Sequence, residues 1–151
     1  METKNPAITI RSAQVEDLRE LTDLCDQLGY PASESIIAQR FTDLLDRPTH
    51  AIFVAQNPEA KVIGWVHGYL RRQLVFDPHI EIGGLIVDEA HRGLRVGAEL
   101  MRAVEAWAQS LGLQTIFVRT NIIRADAQQF YESRGYQLMK TSKVYQKRLA
   151  P

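Results

Sequence analysis

The residues best placed to do chemistry sit in one short stretch. Arg92, Gly93, Leu94, Arg95, Val96, Gly97 and Ala98 follow an apolar run ending at Val87 and lead directly into a segment with helical periodicity. A turn of this kind can aim several backbone N–H groups at one point, where the positive end of the helix dipole adds to them and favours a phosphate. The glycines permit close approach of a ligand, and Arg92 and Arg95 bring fork-shaped cationic donors to the same place. The alternative is a turn that the glycines merely shape, with both arginines solvated. Two common nucleotide signatures are absent: no G-x-x-x-x-G-K-[ST] occurs, and no G-x-G-x-x-G follows a strand.

The elements that must position this turn can be read from periodicity. Residues 7–11 alternate as a short strand, and residues 12–28 carry a helical repeat that stops at Gly29 and Pro31. Ser33 caps a second helix that ends before Pro48. Residues 50–55 and 61–70 are strand-like and joined by Asn57, Pro58, Glu59 and Ala60, which have hairpin chemistry; a third run follows at 79–87. Val96, Leu100, Val104, Trp107 and Leu111 form the stripe of a helix that Gly112 closes. A strand at 115–119, a shorter helix at about 124–134 and strand material from Tyr136 to Leu149 complete the chain. This order predicts a single α/β domain over residues 1–151. Its mixed sheet is antiparallel early and partly parallel later, with helices on both faces.

Composition narrows the function further. The chain has 151 residues, 45% of them apolar and 24% charged, enough for one domain with its own core. The formal net charge is zero, which disfavours a uniformly basic nucleic-acid binder. That zero divides unevenly: residues 1–87 hold 8 basic and 12 acidic side chains, residues 88–151 hold 10 and 6. A bound anion is therefore expected on the second half and a cationic partner on the first. Cys25, the single cysteine, rules out an internal disulfide and a thiolate zinc cluster, and its helical spacing reads as packing. Residues 1–6 lack an apolar signal core, and no run approaches the roughly 20 apolar residues of a membrane span. The expectation is a cytoplasmic protein with no membrane or nucleic-acid partner.

The stretch from Arg92 to Ala98 resembles the R-x-x-G-x-G/A loop of the GNAT superfamily of N-acetyltransferases. The similarity extends to Leu85, Ile86 and Val87 before it, to Asn121 after it, and to Phe130, Tyr131, Gly135 and Tyr136 near the end, in family order and spacing. The resemblance implies a GNAT-type fold and an enzyme using acetyl-CoA as cosubstrate. Backbone groups of Leu85 and Val87 would pair with the pantetheine arm as an added strand. N–H groups of Gly93, Arg95, Val96, Gly97 and Ala98, with the Arg92 side chain, would surround the pyrophosphate, and Asn121 would contact the cofactor further along. One departure stands out: Arg95 occupies the usual place of the first glycine, and an arginine there is expected to take an ordinary negative φ.

The same resemblance assigns the proton movements of a direct transfer to a primary amine in a ternary complex, with no metal. Tyr131 corresponds to the general acid that protonates the leaving thiolate, and a tyrosine titrating near 10 stays protonated at neutral pH. Glu81 stands where some family members keep a base. Simple alternation puts residues 81, 83, 85 and 87 on one face, unless Gly83 and Gly84 introduce a bulge that splays the strand. Those glycines could equally serve only to relieve packing. His67, with Trp65 and Tyr69, could line an acceptor pocket, whereas His50, His79 and His91 read as loop or packing residues. Tyr30 is either a wall of that pocket or a buried turn aromatic. The acceptor is a small-molecule or peptide amine, and homodimerisation is common in the family. The alternative function is a catalytically silent acyl-CoA-binding sensor that keeps the cradle without turnover.

Overall fold

The computed structural model describes residues 8–121 and 123–151. The predicted first strand residue, Ala7, and segment 1–6 lie outside them. Contacts within the chain gather into two units, Met1–Arg119 and Thr120–Pro151.

In the first unit, β1 (Thr9–Ser12) leads through a turn of 3₁₀ helix into α1 (Leu18–Leu28). Buried Asp17 fixes this junction by taking both ends of the Arg11 guanidinium at 2.8 Å and the backbone N–H of Gln14 at 2.8 Å. Gly29 ends α1 in the left-handed region at φ +98°, where a side chain would be strained. Ser33 caps α2 (Glu34–Leu44), its hydroxyl oxygen accepting from the Ile36 N–H at 3.3 Å. The strands β2 (His50–Gln56), β3 (Val62–Gln73) and β4 (Phe76–Val87) follow as a meander, then α3 (Val96–Ser110) and the short β5 (Ile116–Val118).

The five strands lie in the order β1-β2-β3-β4-β5, antiparallel except for the parallel β4–β5 pair. This is the mixed sheet the sequence predicts, with α3 as the crossover between its parallel strands. Leu21, Leu24 and Phe41 from α1 and α2 bury one face together with Val54, Val62 and Ile86. The opposite face belongs to α3. Cβ atoms built at Gly64 and Gly68 would meet Leu100 at 3.2 Å and Val104 at 3.1 Å, so these strand glycines let the helix approach closely.

Among the described residues, the second unit contains one regular element, α4 (Ala125–Ser133), closed by Gly135 at φ +88°. The strand material predicted from Tyr136 to Leu149 is not found: among the described residues, 137–151 form no strand. Strand-forming residue types are present, but a strand persists only through a hydrogen-bonded ladder and burial of one face. Leu138, Val144, Tyr145 and Leu149 are all largely exposed.

The β3–β4 register slips by one residue: His67 opposes Gly84 and Gly68 opposes Ile82, leaving Gly83 as the extra residue of a bulge. Both sequence readings of the glycine pair therefore hold, because packing also demands them. A Cβ on Gly84 would stand 2.6 Å from the Trp65 ring, and one on Gly83 2.9 Å from His67 Nδ1. Gly84→Ala is expected to lower unfolding free energy by about 1–3 kcal/mol, the usual cost of forcing a methyl into a packed site. A urea midpoint equal to wild type would contradict this contact.

Candidate active site

The bulge decides what β4 presents. Directly opposed residues of an antiparallel pair share a face, so Glu81, opposite Tyr69, lies on the side of Trp65, His67 and α1. Past the extra residue the phase is inverted: Ile86 now shares that face, while Leu85 and Val87 look toward α3. The simple alternation that groups Glu81 with Leu85 and Val87 is therefore corrected by one residue. Pairing of β4 with β5 covers Ile80, Ile82 and the residue between them and goes no further. The edge of β4 turned toward β5 is thus not laddered by β5 from Gly83 to Val87, and Gly83 itself is exposed.

Beyond Val87 the chain makes the turn singled out by its sequence. Asp88 donates its N–H to the Ile63 carbonyl at 2.7 Å, and its carboxylate takes His91 Nδ1 at 2.6 Å and Gln27 Nε2 at 2.8 Å. The Gln27 side-chain oxygen accepts the Glu89 N–H at 2.9 Å, so one amide from α1 holds both ends of the turn's first step. Arg92, Gly93, Leu94 and Arg95 are exposed, whereas Val96 and Ala98 are buried. Within α3, the N–H of Glu99 bonds back to the Arg95 carbonyl at 3.1 Å. Helix geometry therefore gives the N–H groups of Val96, Gly97 and Ala98 no acceptor inside the helix, and they point along its positive end.

Arg95 corrects the sequence expectation: it adopts φ +62°, ψ +17°, not a negative φ. It holds a left-handed conformation that glycine adopts freely but that costs a side-chain-bearing residue roughly 1–2 kcal/mol. The turn's closure, beginning with Gly93 at φ +83°, imposes this geometry whatever the side chain.

A polar cluster lies on the α1 face of the sheet. Both oxygens of Glu81 are engaged: Oε1 accepts from Arg71 Nη1 and Arg119 Nε, each at 2.9 Å, and Oε2 accepts from Arg71 Nη1 at 2.8 Å and from the Tyr69 hydroxyl. Burial alone would raise the Glu81 carboxyl. The hydrogen bonds from Tyr69 and Arg119 and the charges of Arg71 and Arg119 outweigh it and hold the group below the usual carboxylate range. Tyr69, half-buried and donating to that carboxylate, is pushed up to about 12. Beside it, His50 Nδ1 and His67 Nε2 are 2.9 Å apart and their rings stack at 5.2 Å. Burial, with the neighbouring His50, pushes His67 down to about 4, so it carries no charge at neutral pH. The charge here runs opposite to the expected acidic wall: two guanidiniums surround one carboxylate.

Other residues fall as follows. His79 is buried against Phe117 at 4.3 Å and His91 serves the turn, both structural as expected. Cys25 is half-buried, and burial raises its thiol, which keeps it protonated. Tyr30 is 73% exposed, which removes the buried-aromatic reading. In the second unit, the Asn121 side-chain oxygen accepts the Ile123 N–H at 3.2 Å, forming the turn into α4. Tyr131 packs edge-on between Phe130 at 5.2 Å and Tyr136 at 5.8 Å, and burial pushes its hydroxyl up to about 12. Arg71 and Arg119 are the site residues that sequence reasoning missed. Among the described residues no three His, Cys, Asp or Glu side chains gather as a metal site, and no helix is long and apolar enough to cross a membrane.

A mixed sheet whose fourth strand loses its parallel neighbour at a bulge and then runs into an Arg- and Gly-rich turn at a helix N-terminus defines the acyl-CoA-dependent N-acyltransferase architecture. The family model for the acetyltransferase (GNAT) family matches residues 15–136. The chain is 30% identical over 134 residues to the aminoalkylphosphonate N-acetyltransferase of Salmonella typhimurium, covering 87% of this chain and 86% of that protein. In fold it matches the aminoglycoside N-acetyltransferase AAC(6')-Iy in complex with CoA, with a TM-score of 0.86, 20% identity, and coverage of 94% and 95% of the two chains. It also matches the aminoglycoside 6'-N-acetyltransferase AAC(6')-Ih of Acinetobacter baumannii, with a TM-score of 0.84, 16% identity, and coverage of 95% and 99%. The chain belongs to the GNAT family and is an acetyltransferase of that type.

The acid dependence of stability follows from Glu81 and Asp17, both held below their unfolded values of about 4.5 and 3.8. A carboxyl lowered in the folded state adds stability above its unfolded pKa, and this is lost as pH falls through the folded one. The urea midpoint is therefore expected to drop on acidification from about pH 5. Glu81→Gln should flatten that slope, and an identical slope in the variant would remove Glu81 from the linkage.

Proposed function

We propose that this protein moves the acetyl group of acetyl-CoA to the primary amine of a small acceptor by direct attack within a ternary complex. The observation that carries this reading is the run of β4 past its bulge into the turn at Arg92 and the start of α3. There an unladdered strand edge, two exposed arginines and the first N–H groups of a helix follow one another along the chain. Backbone groups of Leu85 and Val87 would take the pantetheine arm, since an extended amide-bearing chain satisfies a strand edge as another strand would. The N–H groups of Gly93 through Ala98 and the side chains of Arg92 and Arg95 would hold the pyrophosphate, and Asn121 the cofactor further along. The family match spans residues 15–136 and so crosses from one unit into the other, which supports treating the whole as one catalytic domain.

Within that reading, Tyr131 is the general acid that returns a proton to the departing CoA sulfur. A hydroxyl pushed up to about 12 keeps its proton across the physiological range. Glu81 is the proton acceptor for the amine, acting through water because both its oxygens already accept hydrogen bonds. The acceptor is drawn from the chemistry of the relatives: an aminoalkylphosphonate, as named for the Salmonella protein, or an aminoglycoside, as named for the structural neighbours.

Release of free CoA thiol, followed against a panel of amines, tests the activity; no release above the acceptor-free rate with any amine would overturn it. Tyr131→Phe is expected to lower kcat by about 10²–10⁴-fold, the range for loss of a positioned acid, with the KM for acetyl-CoA little changed. The wild-type rate should show no alkaline fall below about pH 10. An undiminished kcat in the variant would take the acid role from Tyr131. Arg92→Ala should act the other way, raising the KM for acetyl-CoA with a smaller effect on kcat.

A further inference from the structure

Glu81 is an unusual carboxylate to find in a site meant for a cationic amine. Its side chain is 4% exposed, and its oxygens are taken up by Tyr69, Arg71 and Arg119. The guanidiniums that hold it remain accessible: the Arg119 side chain is 55% exposed and that of Arg71 34%. Arg119 spends its Nε on Glu81 and Arg71 its Nη1, out of the five N–H donors that each group carries. Counting two cations and one anion, the group keeps one net positive charge. The neighbouring His50 and His67 add none at neutral pH, since burial lowers both.

Position makes this charge relevant to the acceptor. Glu81 is the β4 residue two places before the bulge, and it pairs with Phe117 of β5. Arg119 follows Val118, whose partner Ile82 is the last β4 residue laddered to β5. The Arg119 guanidinium is therefore carried by the point on β5 where the two parallel strands stop pairing, on the same carboxylate as Arg71 from β3.

We propose that Arg71 and Arg119, held in place by Glu81, form a receptor for an acidic group on the acceptor, so that the amine acetylated belongs to a zwitterion bearing a phosphonate or carboxylate. This rests on the reading of the site as an N-acetyltransferase. A tetrahedral or planar oxyanion matches the fork geometry of a guanidinium, and charge-assisted bonds of this kind are among the strongest available to a small ligand. Besides accepting the amine proton through water, Glu81 positions the receptor: a buried carboxylate orients both forks before the ligand arrives, which cuts the ordering cost of binding. A polycation such as an aminoglycoside would instead meet the net positive charge of this group, and like charges discriminate against wrong partners.

The test compares acceptors matched in length but not in charge: 2-aminoethylphosphonate and β-alanine against ethanolamine, 1,3-diaminopropane and an aminoglycoside. The wild type should favour the two acids in kcat/KM by at least about tenfold. Arg119→Gln should shrink that preference by at least about tenfold, mainly through the KM of the acids and with the KM of acetyl-CoA as the internal control. Arg119→Lys, which keeps charge and loses the fork, should restore part of it. Preference for the diamine or the aminoglycoside, or equal losses for all acceptors in Arg119→Gln, would overturn the proposal. Should no amine release CoA thiol, the catalytic reading fails while this one remains testable by calorimetry with ethylphosphonate, which has no amine. Binding weakened by Arg119→Gln would support the receptor, and absence of binding to the folded wild type would overturn it.

Discussion

Everything the site presents depends on one extra residue in β4. A strand is a device of period two, and a single insertion reverses which face each later side chain sees. At Gly83 that reversal lets Glu81 and Ile86, at odd and even positions, share the α1 face, one in a polar cluster and the other in the apolar core. The same insertion coincides with the end of the β4–β5 ladder, so the polar cluster and the unladdered edge arise together. Only glycine fits there, because Trp65 and His67 fill the space that side chains at 84 and 83 would need.

The second constraint is electrostatic. Burying a carboxylate is costly unless its charge is matched and its lone pairs are filled. The chain meets that requirement at Glu81 with residues from the two strands that flank β4: Tyr69 and Arg71 from β3, and Arg119 just past the end of β5. A group so fully engaged is fixed in orientation and held ionised. Its neighbours, less buried than itself, carry the excess charge outward. The division of charge along the sequence therefore describes the turn after β4, where Arg92 and Arg95 stand, but not the cluster on the sheet, where the sign is set by which side chains meet.

Local features of the chain were readable in advance. The stripe through Val96, Leu100 and Val104, the Ser33 cap, the stop at Gly29 and the turn around Arg92 are each decided within a few residues, where propensity and periodicity act. The parallel pairing of β4 and β5 followed from the intervening helix. What escaped notice depended on distance or closure. Arg71 and Arg119 lie 10 and 38 residues from Glu81, and their meeting depends on a register that includes the slip at Gly83. Arg95 misled because its side chain favours a negative φ while the turn requires a positive one, and turn closure won. The tail from Tyr136 misled because strand-forming residue types were read as a strand where the large apolar side chains stay exposed.

Gln27 gives the turn after β4 a further property. Its amide donates through nitrogen to Asp88 and accepts through oxygen from the N–H of Glu89, so the two bonds fix which way the amide plane faces, and a half-turn of that plane would lose both. The last turn of α1 and the first step of the turn are in this sense one mechanical piece, joined across 61 residues of sequence. The end of α1, whose Leu24 and Leu28 pack on the apolar core, is thus tied by two hydrogen bonds to the start of the turn after β4. A displacement of either end of this connection is therefore felt first at the Gln27 amide.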